Sequence, residues 1–397
     1  MAGKLPMGQK ELMRAKLMEQ VVQKQISLKD AALKLKISDR QSKRIFKKYR
    51  QRGDRGLLHG NLGKPSPHRI EQAIHDEALA MYADHYNDFG PTLAAEKLAE
   101  RHGIHVDHET LRRWLIEESM WERHRQRKTY RSRRDRRQCF GELVQFDGSH
   151  HDWFEGRRTK CCLMNMVDDA TGITLSFLSE EETTADAMTL LWRWIELYGI
   201  PQAVYCDKKN AFVLNREPTL DEQLAGIEPK SHFERTCEKL GIEVVVANSP
   251  QAKGRVERNH GVYQDRFVKE LRLAKIDTIK DANTFLAEKY LPAINKKFSR
   301  KPEVTDDAHA PLLDKIELKD IFCYETTRVV SNDFIISYES RVFQIAKEHK
   351  LIPKPKDKIT VRELLDGTIQ LIWQNTSLAF VERDCKPRKE NPVDLCA

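Results

Sequence analysis

Two short runs, LVQFD at 143–147 and AVYCD at 203–207, are apolar until they end on an aspartate. Their length and their Val, Phe and Tyr content predict buried strands. A carboxylate at the carboxyl end of such a strand stands at a sheet rim, where ligands of α/β sheets collect. Outward from LVQFD, KCCLMNMVDDATG (160–172) and ITLSFLS (173–179) read as consecutive antiparallel strands. TTADAMTLLWRWIELYG (183–199) reads as an amphipathic helix capped near Thr184 and closed by Gly199. After AVYCD comes a polar insertion (213–230), then a helix HFERTCEKLG (232–241), a strand IEVVVA (242–247) and a helix containing Glu257. Three strands, helix, strand, helix, strand and helix predict an α/β core around one mixed sheet.

The chain has 397 residues, more than one ordinary domain accommodates. It carries 68 Lys+Arg against 60 Asp+Glu, a net charge of +8. No apolar run is long enough for a membrane span, and MAGKLPMGQKELMRAKLMEQ lacks the apolar segment of a secretory signal. Eight cysteines show no CxxC pair, which suits reduced thiols in a cytoplasmic protein. His102, His105 and His108 are spaced like metal ligands but straddle a turn with no cysteine nearby, so zinc is not expected.

Charge is unevenly distributed. Residues 1–60 hold 16 Lys/Arg against 5 Asp/Glu, residues 61–121 hold 6 against 11, and residues 122–137 hold 9 against 2. Two basic blocks on a mildly acidic body point to a polyanionic partner. In the first block a helix over 11–23, with Leu12, Leu17, Val21 and Val22 near one face, precedes SLKDAALKLKI (27–37) and SDRQSKRIFKKYR (38–50). Ser27 with Asp30, and Ser38 with Gln41, are capping pairs. Ile45, Phe46 and Tyr49 would face inward, leaving Arg40, Gln41, Lys43, Arg44 and Lys47 outward. Those are the parts of a helix-turn-helix, with DNA as its expected partner.

A Gly/Pro-rich stretch, 53–69, leads to a second module of similar shape: a helix from Ile70 to Tyr86, PTLAAEKLAERHG (91–103), and HETLRRWLIEESMW capped by Asp107. It is net acidic, and Arg112 and Arg113 lie on its last helix. Packing and DNA contact are both open for it. The Arg-rich segment after it, including Arg131, Arg133, Arg134, Arg136 and Arg137, is expected to be an extended linker that touches phosphates. The domain boundaries read as 1–60, 61–121, a linker 122–139, the core 140–300, a linker 301–321, a small all-β domain 322–382 with a hairpin turning at Asp366-Gly367, and a flexible tail 383–397.

SPQAKGRVERNH (249–260) sets one acid, Glu257, among Lys253, Arg255 and Arg258. A solvated helix face held by local ion pairs would explain it in isolation. Asp147, Asp207 and Glu257 could instead converge at the sheet rim, and three close carboxylates need a cation. Oxygen-only ligands favour Mg²⁺ or Mn²⁺. Two such ions, about 3.5–4 Å apart, suit in-line phosphoryl displacement.

LVQFD, YCDKKNAF (205–212) and SPQAKGRVERNHGVYQDRF (249–267) resemble the three motifs of the retroviral-integrase-like DDE transposases. From KELMRAKLMEQV (10–21) through GPTLAAEKLAERHG (90–103) to the β-rich end, about residues 10–380, the chain resembles the ISNCY-type insertion-sequence transposases of bacteria. The resemblance implies an RNase H-like core, with Asp147 and Asp207 as the two aspartates and Glu257 as the glutamate. Lys208-Lys209-Asn210 departs from the Asn-Gly that integrases usually place after the second aspartate, and the Asp207–Glu257 spacing is longer than in retroviral integrases. The insertion 213–230 accounts for the extra length.

The implied activity is transposition: binding terminal inverted repeats, cleaving 3′ ends and joining them to target DNA with two divalent ions. The implied partners are double-stranded DNA and further copies of the chain on it, with no membrane. No phosphate-binding loop of the Walker type is present, so ATP is not expected. A metal-dependent nuclease without strand transfer, and a helix-turn-helix regulator with an inactive core, are the alternatives.

Overall fold

A computed structural model describes residues 7–62, 69–122, 134–208, 211–214, 216–224, 226, 228–246, 254–312, 317–347 and 352–383. The chain divides into two compact units, residues 1–127 and 128–397.

In the first unit, α1 (Gln9–Val22), α2 (Leu28–Leu35) and α3 (Asp39–Arg52) pack around Leu17, Met18, Ala31 and Leu57. Ser27 and Asp30 cap α2 reciprocally, and Ser38 accepts from the Gln41 amide at 3.3 Å to start α3. Between them Lys36 turns the chain in the left-handed region (φ 54°). Buried Ser42 donates to the Leu28 carbonyl at 3.1 Å, tying α3 to α2. Ile45, Phe46 and Tyr49 pack against this core. The expected face of α1 needs correction: Leu12 and Val22 are 54% and 52% exposed, while Leu17 and Met18 are buried. Leu12 precedes Leu17 by five residues and Val22 follows it by five, each about 140° round the helix from it.

Three further helices follow: α4 (Gln72–His85), α5 (Pro91–His102) and α6 (His108–Glu117). Pro91 opens α5, Gly103 closes it at φ 69°, and Asp107 caps α6 through the Glu109 and Thr110 amides. Tyr82, Phe89, Leu98, Leu111 and Leu115 are buried.

The second unit opens with β1 (Val144–His151), β2 (Cys161–Asp168) and β3 (Thr174–Ser179) as an antiparallel meander. Then come α7 (Thr184–Tyr198), β4 (Ala203–Cys206), a short α8 (Leu220–Leu224), α9 (His232–Lys239), β5 (Glu243–Val246) and α10 (Gly254–Leu273). The sheet order is β3-β2-β1-β4-β5, with β4 parallel to both β1 and β5. This is the mixed sheet that the order of elements predicts. Strand alternation gives its two faces different work. Phe146 meets Phe212 and Phe233, on the side of α9. Gln145, Asn165 and Ser176 face the other way, onto α10. The insertion is drawn shut at its base, where Ser231 Oγ donates to the Phe212 carbonyl at 2.6 Å.

After α10, α11 (Ile279–Phe285) and α12 (Leu291–Phe298) clamp β3: Asn283 bridges the Leu178 amide and carbonyl, and Asn295 those of Thr174. The segment expected to be a linker, 301–321, packs back on the core in its described part. Val304, Ala308 and Ala310 amides donate to Gln138, Phe140 and Ile200 carbonyls. Leu318, in the short α13 (Leu318–Ile321), and Phe322 complete the core cluster. The strands β6 (Cys323–Val329), β7 (Ile335–Tyr338), β8 (Arg341–Ile345), β9 (Lys358–Leu364), β10 (Ile369–Trp373), β11 (Thr376–Leu378) and β12 (Phe380–Arg383) form two sheets over Ile336, Phe343, Val361 and Leu371. β9 and β10 are the hairpin at Gly367 (φ 82°). Lys239 of α9 pairs with Glu325 of β6 at 2.8 Å. The tail beyond Arg383 lies outside the described residues. No helix among the described residues is long and apolar enough to cross a membrane, and the six cysteines described are free thiols.

Gly141 shows how tightly the 301–312 segment is seated. Its φ is +83°, and a Cβ there would stand 2.3 Å from Nδ1 of His309. That ring cannot step aside, because Trp194 donates to its Nε2 at 3.0 Å and Asp307 holds Nδ1 at 2.6 Å. Gly141→Ala is expected to destabilise the protein by more than the roughly 1–3 kcal/mol of a left-handed non-glycine residue alone. Urea denaturation followed by tryptophan fluorescence measures the loss.

Candidate functional site

Asp147 does not end its strand. β1 continues to His151 because β2 pairs with it over all eight positions, Val144↔Asp168 through His151↔Cys161. The parallel strand β4 stops earlier, at Cys206. Its register with β1, Val144↔Val204 and Gln145↔Tyr205, carries Asp207 to the position beside Asp147. Adjacent strands lie about 4.8 Å apart, so the two positions stand side by side at the point where β4 ends.

Glu257 stands in the first turn of α10 and is exposed. The helix lies along the face of β1 that carries Asp147. Gln145, two residues before Asp147, accepts from the Val256 amide at 3.2 Å; Ser149, two residues after it, accepts from Gln264 at 3.2 Å. Asn165, the cross-strand partner of Asp147, donates to Asn259 at 2.8 Å. Deeper in the helix, Tyr263 accepts from Ser176 at 2.8 Å, and burial pushes its phenol up to about 12. The first turn of α10 is thus moored beside the strand position that bears Asp147.

Asp168 and Asp169, the other acids at a strand end, are fully buried and structural. Asp168 accepts from the Gly141 amide and from both the amide and hydroxyl of Thr171; burial nevertheless pushes its carboxyl up. Asp169 accepts from Gln145 Nε2 at 2.8 Å and the Arg137 amide at 2.8 Å, and pairs with Arg134 and, at 3.1 Å, with Arg255. Arg136 donates to the Asp169 and Ala170 carbonyls. Burial, then Arg300 and Arg255 nearby, hold the Arg136 guanidinium below its ordinary value. Residues 134–137 of the expected linker are therefore docked on the core, and Arg137 also pairs with Glu142. Lys253, Arg131 and Arg133 lie outside the described residues.

Arg258 is exposed on α10, and Arg40, Gln41, Lys43, Arg44 and Lys47 are all exposed on α3. On α6, Arg113 is exposed, whereas Arg112 is held by Glu109. Gln145 and Asn165, which hold α10 beside β1, do not stand out as such in the sequence; a polar residue inside an apolar run is the available signal for both. Asp168 and Asp169 are readable there as alternative strand-end acids.

Asp147, Asp207 and Glu257 are oxygen donors only, and Asp147 and Asp207 are partly exposed at a sheet step. That donor set fits a hard divalent cation such as Mg²⁺. On the opposite face of the meander, His150, Cys162 and Glu182 bring a ligand atom each to within 4.8 Å of one another. Glu182 there fits over Gly148, where a Cβ would come within 2.6 Å of its carboxyl carbon.

No protein-family model matches the chain. It is 35% identical over 383 residues to "Putative transposase y4bF" of Sinorhizobium fredii (strain NBRC 101917 / NGR234), covering 95% of this chain and 82% of that protein. To the transposase for insertion sequence IS1202 of Streptococcus pneumoniae it is 28% identical over 380 residues, covering 86% and 80%. Among solved structures, the HTLV-2 integrase catalytic core domain in complex with magnesium (trimeric form) aligns at 20% identity and a TM-score of 0.29, over 37% of this chain and 82% of that one. At 35% identity to a putative transposase over 95% of its own length and 82% of that protein's, the chain belongs to the transposases.

Proposed function

We propose that the chain is a DDE transposase with an RNase H-like core, which binds the terminal inverted repeats of its element, cleaves at their 3′ ends and joins them to target DNA. The observation that supports this most is the register of β1 and β4 together with the mooring of α10, which would bring Asp147, Asp207 and Glu257 to one side of one sheet. These three residues would hold two Mg²⁺ or Mn²⁺ ions, which supply activation of the attacking oxygen and stabilisation of the leaving one. In cleavage a water oxygen bonds to phosphorus as the bond to the 3′ oxygen breaks, and that oxygen leaves as a hydroxyl. In joining, the same hydroxyl attacks a target phosphorus and releases a target 3′-OH. One phosphodiester replaces another, so joining requires no ATP.

The chain's own residues bind and orient. Helices α2 and α3 serve as a helix-turn-helix, with the exposed Arg40, Gln41, Lys43, Arg44 and Lys47 toward the major groove. Arg258 and the arginines docked around Asp169 lie beside the site and serve the phosphates of the bound strand. Arg113, exposed on α6 of the first unit, is a further candidate for phosphate contact. Copies of the chain assemble on paired element ends, in the cytoplasm of a bacterium.

Asp147→Asn, Asp207→Asn and Glu257→Gln keep side-chain shape and remove the charge that holds the ions. Each is expected to abolish cleavage and joining while leaving binding to end DNA largely intact. A strand-transfer assay with pre-cleaved end DNA, Mg²⁺ and a target plasmid reads joining, the same end DNA left uncleaved reads cleavage, and a gel shift reads binding. Near-normal joining by any of the three removes that residue from the site, and wild-type cleavage without joining would make the protein a nuclease.

Arg44→Ala is expected to relax preference at one base pair of the end sequence, costing about 1–3 kcal/mol there. Equal losses on end DNA and random DNA, in a competition binding assay, would instead make Arg44 a phosphate contact.

A further inference from the structure

Gln145 is fully buried between two groups it cannot satisfy with water, and both halves of its amide are used. Its Nε2 donates to Asp169 at 2.8 Å, and its Oε1 accepts the amide of Val256 at 3.2 Å. Asp169 is itself immobilised. It is fully buried, its own amide donates to the Leu143 carbonyl at 2.9 Å, and its carboxylate takes Arg134, the Arg137 amide and Arg255 besides Gln145. Arg255 adds a bond to the Arg134 carbonyl at 3.2 Å. Of the two residues just ahead of Glu257 in α10, Arg255 is therefore tied to a single buried carboxylate directly by its side chain, and Val256 by its backbone through Gln145.

Gln145 also stands two positions before Asp147 on the same face of β1. One rigid amide thus spans the strand that carries one acid and the helix turn that carries another. The spacing between two ligands of a metal pair is set by such a link, because a helix start is otherwise free to slide on a sheet by fractions of an ångström.

We propose that Gln145, locked by Asp169, is a positioning residue that sets the place of Glu257 relative to Asp147 and so the affinity of the site for its divalent ions. This rests on the reading of Asp147, Asp207 and Glu257 as metal ligands. Gln145 touches neither ion nor DNA; it acts through the first turn of α10.

The test titrates Mn²⁺ into the full-length protein bound to pre-cleaved end DNA, following free Mn²⁺ by electron paramagnetic resonance, with joining measured at each concentration. Gln145→Leu removes both bonds at similar volume. Val256→Pro removes the donor, and because Val256 is fully buried it also changes the packing there. A first-turn N–H has no partner within the helix, so proline is tolerated in the backbone and this variant keeps the test open if Gln145→Leu fails to fold. Asn283→Leu is the control, since Asn283 is also an amide that clamps backbone, but on β3 at Leu178.

In Gln145→Leu and Val256→Pro, half-saturating Mn²⁺ is expected to rise about 10- to 100-fold, the usual effect of losing a group that orients a metal ligand. Joining is expected to recover toward wild type at high Mn²⁺. Asn283→Leu should lower the melting temperature and leave the Mn²⁺ curve in place. Unchanged Mn²⁺ binding in both Gln145→Leu and Val256→Pro, while Glu257→Gln loses it, overturns the proposal and spares the site. Wild-type Mn²⁺ binding by Glu257→Gln overturns the site reading itself, and the proposal with it.

Discussion

Two adjacent carboxylates, Asp168 and Asp169, are buried to 0% exposure at the turn between β2 and β3, and much of the second unit is arranged to satisfy them. An uncompensated buried carboxylate costs several kcal/mol, so each must be met by donors or cations. Asp168 is met within its own turn by Thr171 and, from the chain entering β1, by the Gly141 amide, which seats that segment. Asp169 is met from far away in sequence: by Arg134 and Arg137 before the sheet, Gln145 within it and Arg255 after it. Demanding these partners at once fixes three separate segments against one another. A hydrophobic contact could bring them together, but it would not set their register, because dispersion is indifferent to small slides while a hydrogen bond is not.

The reach of that network explains what could and could not be read from the sequence. Elements with local causes were legible. Ser27 with Asp30, Ser38, Asp107, Pro91 and Gly103 act within one turn of themselves, and each stands where its local pattern puts it. The mixed sheet was legible too, since its strands are short apolar runs separated by helical periods. Illegible were features whose cause lies elsewhere in the chain. β1 runs on through Gly148-Ser149-His150-His151, a polar stretch with no strand signal of its own, because β2 supplies its hydrogen bonds. The 301–312 segment looks like a loop by composition, yet its backbone donates to Gln138, Phe140 and Ile200. The arginines 134, 136 and 137 read as an extended linker that touches phosphates until the buried acid and carbonyls they meet are known.

For the candidate site the same division holds. The acids are conspicuous in sequence because each ends an apolar run or interrupts a basic one. What cannot be seen there is what would bring them together. Asp147 and Asp207 are related by strand register, and Glu257 by the mooring of α10 at Gln145, Asn165 and Ser149. Polar residues inside apolar strands, Gln145 and Asn165, are the trace this leaves in sequence. Each would be costly without a partner, so each implies one.

The arginines divide into two physical kinds. Those on α3 are exposed and project from an amphipathic helix, so their positions are adjustable and suited to sorting among base edges. Those around Asp169 are anchored by an ion pair or by carbonyls while Arg134 remains 41% exposed at its side chain. Five guanidinium groups, of Arg134, Arg136, Arg255, Arg258 and Arg300, repel one another there, and burial together with that repulsion holds Arg136 and Arg255 below their ordinary values. One buried carboxylate relieves only part of that repulsion. The remainder favours any anion that approaches, and because the cations are already ordered, an arriving phosphate need not immobilise them. A phosphate chain near Asp147 would thus be drawn toward the acids by charge that those acids, as anions, cannot supply.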